Sequence, residues 1–171
     1  MATDKQLHRA LELLQRKVEK LETNDAVALV NREILEIENP DWVPHYEVHK
    51  ASLLRCADRT NEAAQLLQDV VKKYPLVDSA NYFAGEYLLE LGQHAKAISF
   101  FSNCITIGVE SEANWFMDSA HLLRAYCAAK TGDWSLAVKD IADVPDDEEM
   151  SWLSVEPAIS KSSVRSMIAS K

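Results

Sequence analysis

One pattern of apolar residues returns at a fixed interval along this chain, and it constrains the fold more than any other feature. Ala51, Leu54, Asp58, Ala63, Leu67 and Val70 are matched 34 positions later by Gly85, Leu88, Gly92, Ala97, Phe101 and Cys104. Each pair keeps its size class or its turn character. A third copy, Ala125, Ala128, Gly132, Ala137, Ile141 and Val144, follows at an offset of 40. A period of this length predicts a stack of helical hairpins, because one hairpin cannot bury its apolar face alone and must pack against its neighbours.

The local signals divide the chain into helices. Leu7, Leu11, Leu14, Val18 and Leu21 recur at the 3–4 spacing of one helical face, which predicts a first helix from about Thr3 to Glu22. Thr23-Asn24-Asp25 reads as a turn and a new cap. A second helix then carries Val27, Val30, Ile34 and Ile37 and stops before Asn39-Pro40, since proline cannot continue a helix and disfavours helical geometry just before it. Hairpins are expected at about 3–40, 43–75, 78–108 and 113–145. Pro40 and Pro75, 35 apart, each follow a second helix, and Gly92 and Gly132 supply turns that tolerate left-handed geometry. The six additional residues of the last copy fall near Gly108 to Asn114 and are expected to lengthen a loop or extend the following helix. No strand-like alternation occurs. The tail at 150–170, with Met150, Trp152, Leu153, Val155, Ile159, Val164, Met167 and Ile168, is read as a cap on the stack. Trp115 stands at a hairpin start; Trp134 is expected to cover its own hairpin end and Trp152 to pin the tail.

The segment Asn81 to Ile105, NYFAGEYLLELGQHAKAISFFSNCI, resembles the tetratricopeptide repeat family through Ala84-Gly85, Gly92, Ala97 and Phe101. Lys50 to Pro75 is similar through Ala51, Ala63, Leu67, Val70 and Pro75, with Asp58 where the family prefers glycine. His121 to Pro145 is similar through Ala125, Gly132, Ala137 and Ile141, with His121 and Arg124 where bulky apolar residues are usual; Glu47 and Lys50 are the same departures one copy earlier. Asp25 to Pro40 keeps Ala28, Leu35 and Pro40. The resemblance implies a single all-α domain, a right-handed α-solenoid of three to four tetratricopeptide-like hairpins with a C-terminal capping helix. It also implies a groove, lined by the first helix of each hairpin, that holds a protein or peptide segment. Matching positions are His45, Val48, Ser52 and Arg55, then Ser79, Tyr82, Glu86 and Leu89, then Ser119, Leu122, Tyr126 and Lys130. The carboxylate-clamping subset of the family needs Lys, Arg and Asn where this chain has Val48, Ser52, Phe83, Ser119 and Leu123, so an amphipathic segment suits the groove better.

Charge narrows the partner. The formal net charge is −9, which opposes nucleic-acid binding and favours a basic protein. Asp143, Asp146, Asp147, Glu148 and Glu149, with Asp140 just before them, form an acidic strip that is either a solvated linker or a docking site for a basic surface. No apolar run approaches the length of a membrane span, and Met1 to Glu22 is charged throughout without an apolar leader core, so a cytoplasmic protein without membrane association is expected. Three widely spaced cysteines, Cys56, Cys104 and Cys127, do not make a disulfide framework, and Cys104 sits on an apolar face.

The sequence carries no complete catalytic pattern. His45 and His49 lie four apart with Cys56 beyond them, but no H-E-x-x-H, second histidine pair or C-x-x-C completes a metal site. The glycines form no phosphate loop, no G-x-S-x-G elbow occurs, and carboxylate pairs such as Glu36 with Glu38 or Glu110 with Glu112 carry no mark of acid–base pairing. The expectation is a non-enzymatic binding protein with no cofactor, no metal and no small-molecule substrate. It takes the form of a bacterial immunity protein neutralising a secreted toxin or, alternatively, of a secretion-type chaperone or an adaptor subunit of a larger assembly.

Overall fold

The computed structural model describes residues 2–111, 115–150 and 158–171. They divide into two compact units, Met1–Tyr74 and Pro75–Lys171. Among the described residues the protein is all-α except for one two-residue ladder.

The first unit contains α1 (Ala2–Val18), α2 (Thr23–Glu36), a 3-10 turn (Pro40–Trp42), α3 (Val43–Cys56) and α4 (Thr60–Lys73). Each helix packs on the one before it. Leu14, Val18, Ala26, Val30 and Tyr46 form a buried cluster against which Leu7, Leu11, Leu29, Ile34, Ile37 and Leu53 pack. The apolar spacing of the first two helices thus becomes a core seam, with each large side chain contributing about 1.5–3 kcal/mol by leaving water. Helix α2 starts earlier than the turn signals suggest: Thr23, Asn24 and Asp25 form its first turn, with Glu22 as the extended residue before it. An acidic residue is favourable in that first turn, where backbone N–H groups point outward.

The second unit contains α5 (Asp78–Glu90), α6 (His94–Ser111), α7 (Met117–Thr131), α8 (Trp134–Asp143), β1 (Glu149–Met150), β2 (Ile159–Ser160) and α9 (Lys161–Ala169). Helices α5 to α8 pack in succession, and α9 lies on α7 and α8. Gly85 and Phe101 carry the contact between α5 and α6: a methyl group placed on Gly85 would come within 2.8–3.0 Å of the Phe101 ring, which is fully buried. The extra residues of the last repeat extend the preceding helix, α6, through Ser111, rather than the following one. Gly108 is buried within this helix, and Ser102, Thr106 and Ser111 each donate a hydroxyl hydrogen bond to the carbonyl four residues back. Residues 112–114 lie outside the described residues.

The hairpin turns share one construction. Asp58, Gly92 and Gly132 all have positive φ, at 60°, 71° and 82°. In each turn the following N–H reaches back five positions: Arg59 to the Leu54 carbonyl at 3.0 Å, Gln93 to Leu88 at 2.8 Å and Asp133 to Ala128 at 2.9 Å. This left-handed ending satisfies carbonyls that the helix leaves open. Asp58 therefore adopts the geometry that glycine adopts in the other two copies.

The tail departs from a purely helical cap. Glu149 pairs with Ser160 and Met150 with Ile159 in an antiparallel ladder, with Met150 and Ile159 buried. The last helix begins at Lys161 because Ser160 is its cap: its hydroxyl accepts from the Ser163 N–H while the Ser163 hydroxyl accepts from the Ser160 N–H. Met167 and Ile168 pack with Trp134 and Leu136 on Ala128, Ala129 and Ala137. Trp152 and the apolar residues Leu153 and Val155 lie outside the described residues.

Candidate functional site

The expected groove positions separate into two groups. In the first unit Val48 is buried, whereas His45, Ser52 and Arg55 are half-buried, and the Ser52 hydroxyl donates to the Val48 carbonyl at 3.3 Å. In the second unit Tyr82, Glu86, Leu89, Leu122 and Tyr126 are buried, Ser79 and Ser119 are half-buried, and Lys130 is exposed. Tyr82 stacks on Phe116 with ring centroids 4.6 Å apart, and burial pushes its hydroxyl far above the usual phenol range. Lys130 lies 5.3 Å from the centre of the Tyr126 ring. Tyr82, Leu89 and Leu122 thus belong to the packing between helices, and the Ser79 hydroxyl is enclosed, which leaves His45, Ser52, Arg55, Ser119 and Lys130 as the groove positions within reach of solvent.

The acidic strip is partly consumed inside the second unit. Asp146 pairs with Lys161 at 3.0 Å and Arg165 at 3.6 Å, so the hydrogen bond and charge of Lys161, with the charge of Arg165, hold its carboxyl below the usual range. Lys161, nearly buried, also donates to the Val144 carbonyl. Glu148 accepts from the Ser119 hydroxyl at 2.6 Å, which joins a groove position to the strip. Asp143, Asp147 and Glu149 stay exposed.

Asp140 is not part of any solvated run. It is 1% exposed, and its two oxygens accept from Arg124 Nε at 2.6 Å and Arg124 Nη2 at 2.7 Å, with His121 Nδ1 3.2 Å away. Arg124 also donates to the Ser102 hydroxyl at 3.0 Å. Burial pushes the Asp140 carboxyl up, but the hydrogen bonds and charges of Arg124 and His121 outweigh it and hold it below the usual value. The polar residues at the family's apolar positions are therefore paired rather than exposed. Glu47 and Lys50 do the same in the first unit, where Lys50 pairs with Glu47 and donates to Asn31 at 3.1 Å. At the equivalent place of the middle copy Asn81, fully buried, donates to the carbonyls of Pro75 and Val77. The sequence shows where these residues break the pattern; it does not show the partner, because Asp140 stands 16 positions from Arg124 on another helix.

Burial pushes the Cys104 and Cys127 thiols up to about 12 each, and only Cys56 is exposed. Among the described residues no group of three His, Cys, Asp or Glu side chains is placed to hold a metal ion. No described helix is long and apolar enough to cross a membrane.

Antiparallel helices closed by left-handed turns, with glycine against an aromatic at the crossing, define an α-helical repeat protein. The family model described as Tetratricopeptide repeat matches residues 50–103. Solved structures agree on the fold. The TPR-like repeats of a Podosopora anserina protein assigned as a kinesin light chain align at a TM-score of 0.60 and 16% identity, covering 80% of this chain and 72% of that one. The MamA RS-1 ArsTM double mutant aligns at a TM-score of 0.62 and 15% identity, covering 80% of this chain and 71% of that one. The comparison with curated proteins finds no match.

Proposed function

We propose that this protein is a non-enzymatic interaction module that holds a segment of a basic protein. The observation that carries the reading is the repeat itself, whose framework is built by helix packing while polar groove positions such as His45, Arg55 and Lys130 keep access to solvent. The net charge of −9 favours a basic partner by raising the encounter rate between opposite fields. The same charge suits an immunity protein that blocks a basic secreted toxin in the cytoplasm, which we take as the specific form of the reading. The exposed acids Asp143, Asp147 and Glu149 remain available to that partner, whereas Asp146 and Glu148 hold the tail.

The test is affinity purification of the tagged chain from its own cells, followed by mass spectrometry and repeated in low and high salt. A stoichiometric basic protein that is released as salt rises is the expected result. Recovery of nucleic acid alone, or binding indifferent to salt, overturns the reading. Charge reversal at exposed Asp147 then separates strip from groove: Asp147→Lys weakens binding through the strip, whereas Ser119→Lys obstructs the groove.

A further inference from the structure

The first unit holds a cavity of ≈ 480 Å³ whose walls come from Gln6 of α1, Glu33 and Glu36 of α2, Glu38, and the aromatics Trp42 and Tyr46. Three carboxylates meet two aromatic rings here. Glu33 has a partner, Lys17, at 2.6 Å. Glu36 and Glu38 form no ion pair with any described residue, so the cavity keeps negative charge in excess. Ile37, the residue that ends α2, also lines it, and the last turn of α2 carries no basic side chain. The open carbonyls of a helix C-terminus add further negative potential. Tyr46 is 5% exposed, and its hydroxyl makes no hydrogen bond with the described residues although it lines the cavity. The ring is enclosed while the hydroxyl oxygen faces the open cleft, where it can accept a hydrogen bond.

These walls select their ligand. An anion is repelled, and a purely apolar group leaves the charge of Glu36 and Glu38 unmatched. The described residues offer no triad of ligating side chains for a metal ion. A flat organic cation satisfies every wall: its face suits Trp42 and Tyr46, and its N–H groups suit Glu36, Glu38 and the Tyr46 oxygen. Guanidinium meets these demands better than ammonium, because it is planar and presents paired donors. We propose that this cleft receives the guanidinium of an arginine side chain displayed by the protein partner. The proposal rests on the interaction-module reading and gives it a specific contact in α2, α3 and the turn between them.

The test is a titration of the whole chain, labelled with nitrogen-15, with the peptide acetyl-Gly-Arg-Gly-amide. The indole resonance of Trp42 is assigned by its loss in Trp42→Phe. A saturable shift of that resonance is expected, weakened about tenfold in the Glu36→Gln/Glu38→Gln double variant and absent with the citrulline peptide. Both glutamates are exposed, so the double variant retains its melting temperature. The proposal falls if no saturable shift occurs, if citrulline matches arginine, or if the double variant binds as the parent does. It also falls if spermidine saturates the site at lower concentration than the peptide, which would make the cleft a site for free polyamines. The two readings fail separately. A partner captured equally by parent and double variant removes the cleft and keeps the module; peptide binding without any captured protein does the reverse.

Discussion

At the scale of single residues, backbone geometry and close contact decide more than chemistry does. Asp58 occupies the left-handed turn that Gly92 and Gly132 occupy elsewhere, and an L residue there carries steric strain that aspartate only partly escapes. Asp58→Gly relieves it at the cost of a more flexible unfolded chain, for a net gain of about 0.5 kcal/mol. The converse change, Gly92→Ala, loses about 1 kcal/mol although nothing lies within 4 Å of the added methyl, because the backbone angle itself is the obstacle. Urea midpoints of the two variants moving in opposite directions check this. Gly85 differs: its backbone is helical and its constraint is the Phe101 ring. Alanine gains about 1 kcal/mol in helix propensity there, while overpacking costs about 1–3 kcal/mol. Gly85→Ala is therefore expected to destabilise by about 1 kcal/mol, with the companion Phe101→Leu change restoring part of the loss in a double-mutant cycle.

At the scale of elements, the bond between α7 and α8 combines apolar seams with a buried charge pair. Asp140→Asn leaves Arg124 without its counter-charge inside the hairpin and is expected to cost about 3 kcal/mol in chemical denaturation. The pH dependence follows from the lowered carboxyl. The unfolded chain binds the proton first, so the contribution is fully present above the unfolded aspartate value of about 3.9 and disappears as pH falls through the lower folded value. Acid unfolding of the parent near that window, and its blunting in Asp140→Asn, is the check. The elements themselves were legible in the sequence to within a few residues from α3 through α8, because spacing, proline stops and turn residues are local signals. The extension of α6 was not, since the additional residues near Gly108 carry no local signal that assigns them to the preceding helix. Nor was the division of the groove: Tyr82 and Leu122 share the helical spacing of Ser79 and Ser119, and exposure depends on what the neighbouring helix covers. Glu36 with Glu38 was visible as an unremarkable acid pair; the cleft arises only when Trp42 and Tyr46 fold beside them.

For the whole molecule, charge and protonation set the working range. His49 lies against its neighbours with Nε2 buried and without a hydrogen bond, and burial lowers its pKa; burial, followed by the charge of Lys130, does the same to His94. Both bind a proton less readily in the folded protein than in the unfolded chain, so the unfolded chain takes up protons first as pH falls through the free histidine value of about 6.5. Stability is thus full above that value and declines below it until the folded values are reached. Melting temperatures from pH 7.5 to 5 are expected to fall in the parent and to fall less in the His49→Gln/His94→Gln double variant; identical slopes would assign the loss to other groups. This histidine window lies above that of Asp140, so the two losses are separable in one titration.

The contrast among the thiols has a practical consequence. Cys56 is open to solvent at the end of α3, whereas Cys104 and Cys127 are enclosed and stay protonated at neutral pH. Maleimide reagents will therefore mark one position without mutagenesis. A dye there turns the end of α3 into a reporter of partner capture while the rest of the chain stays as it is.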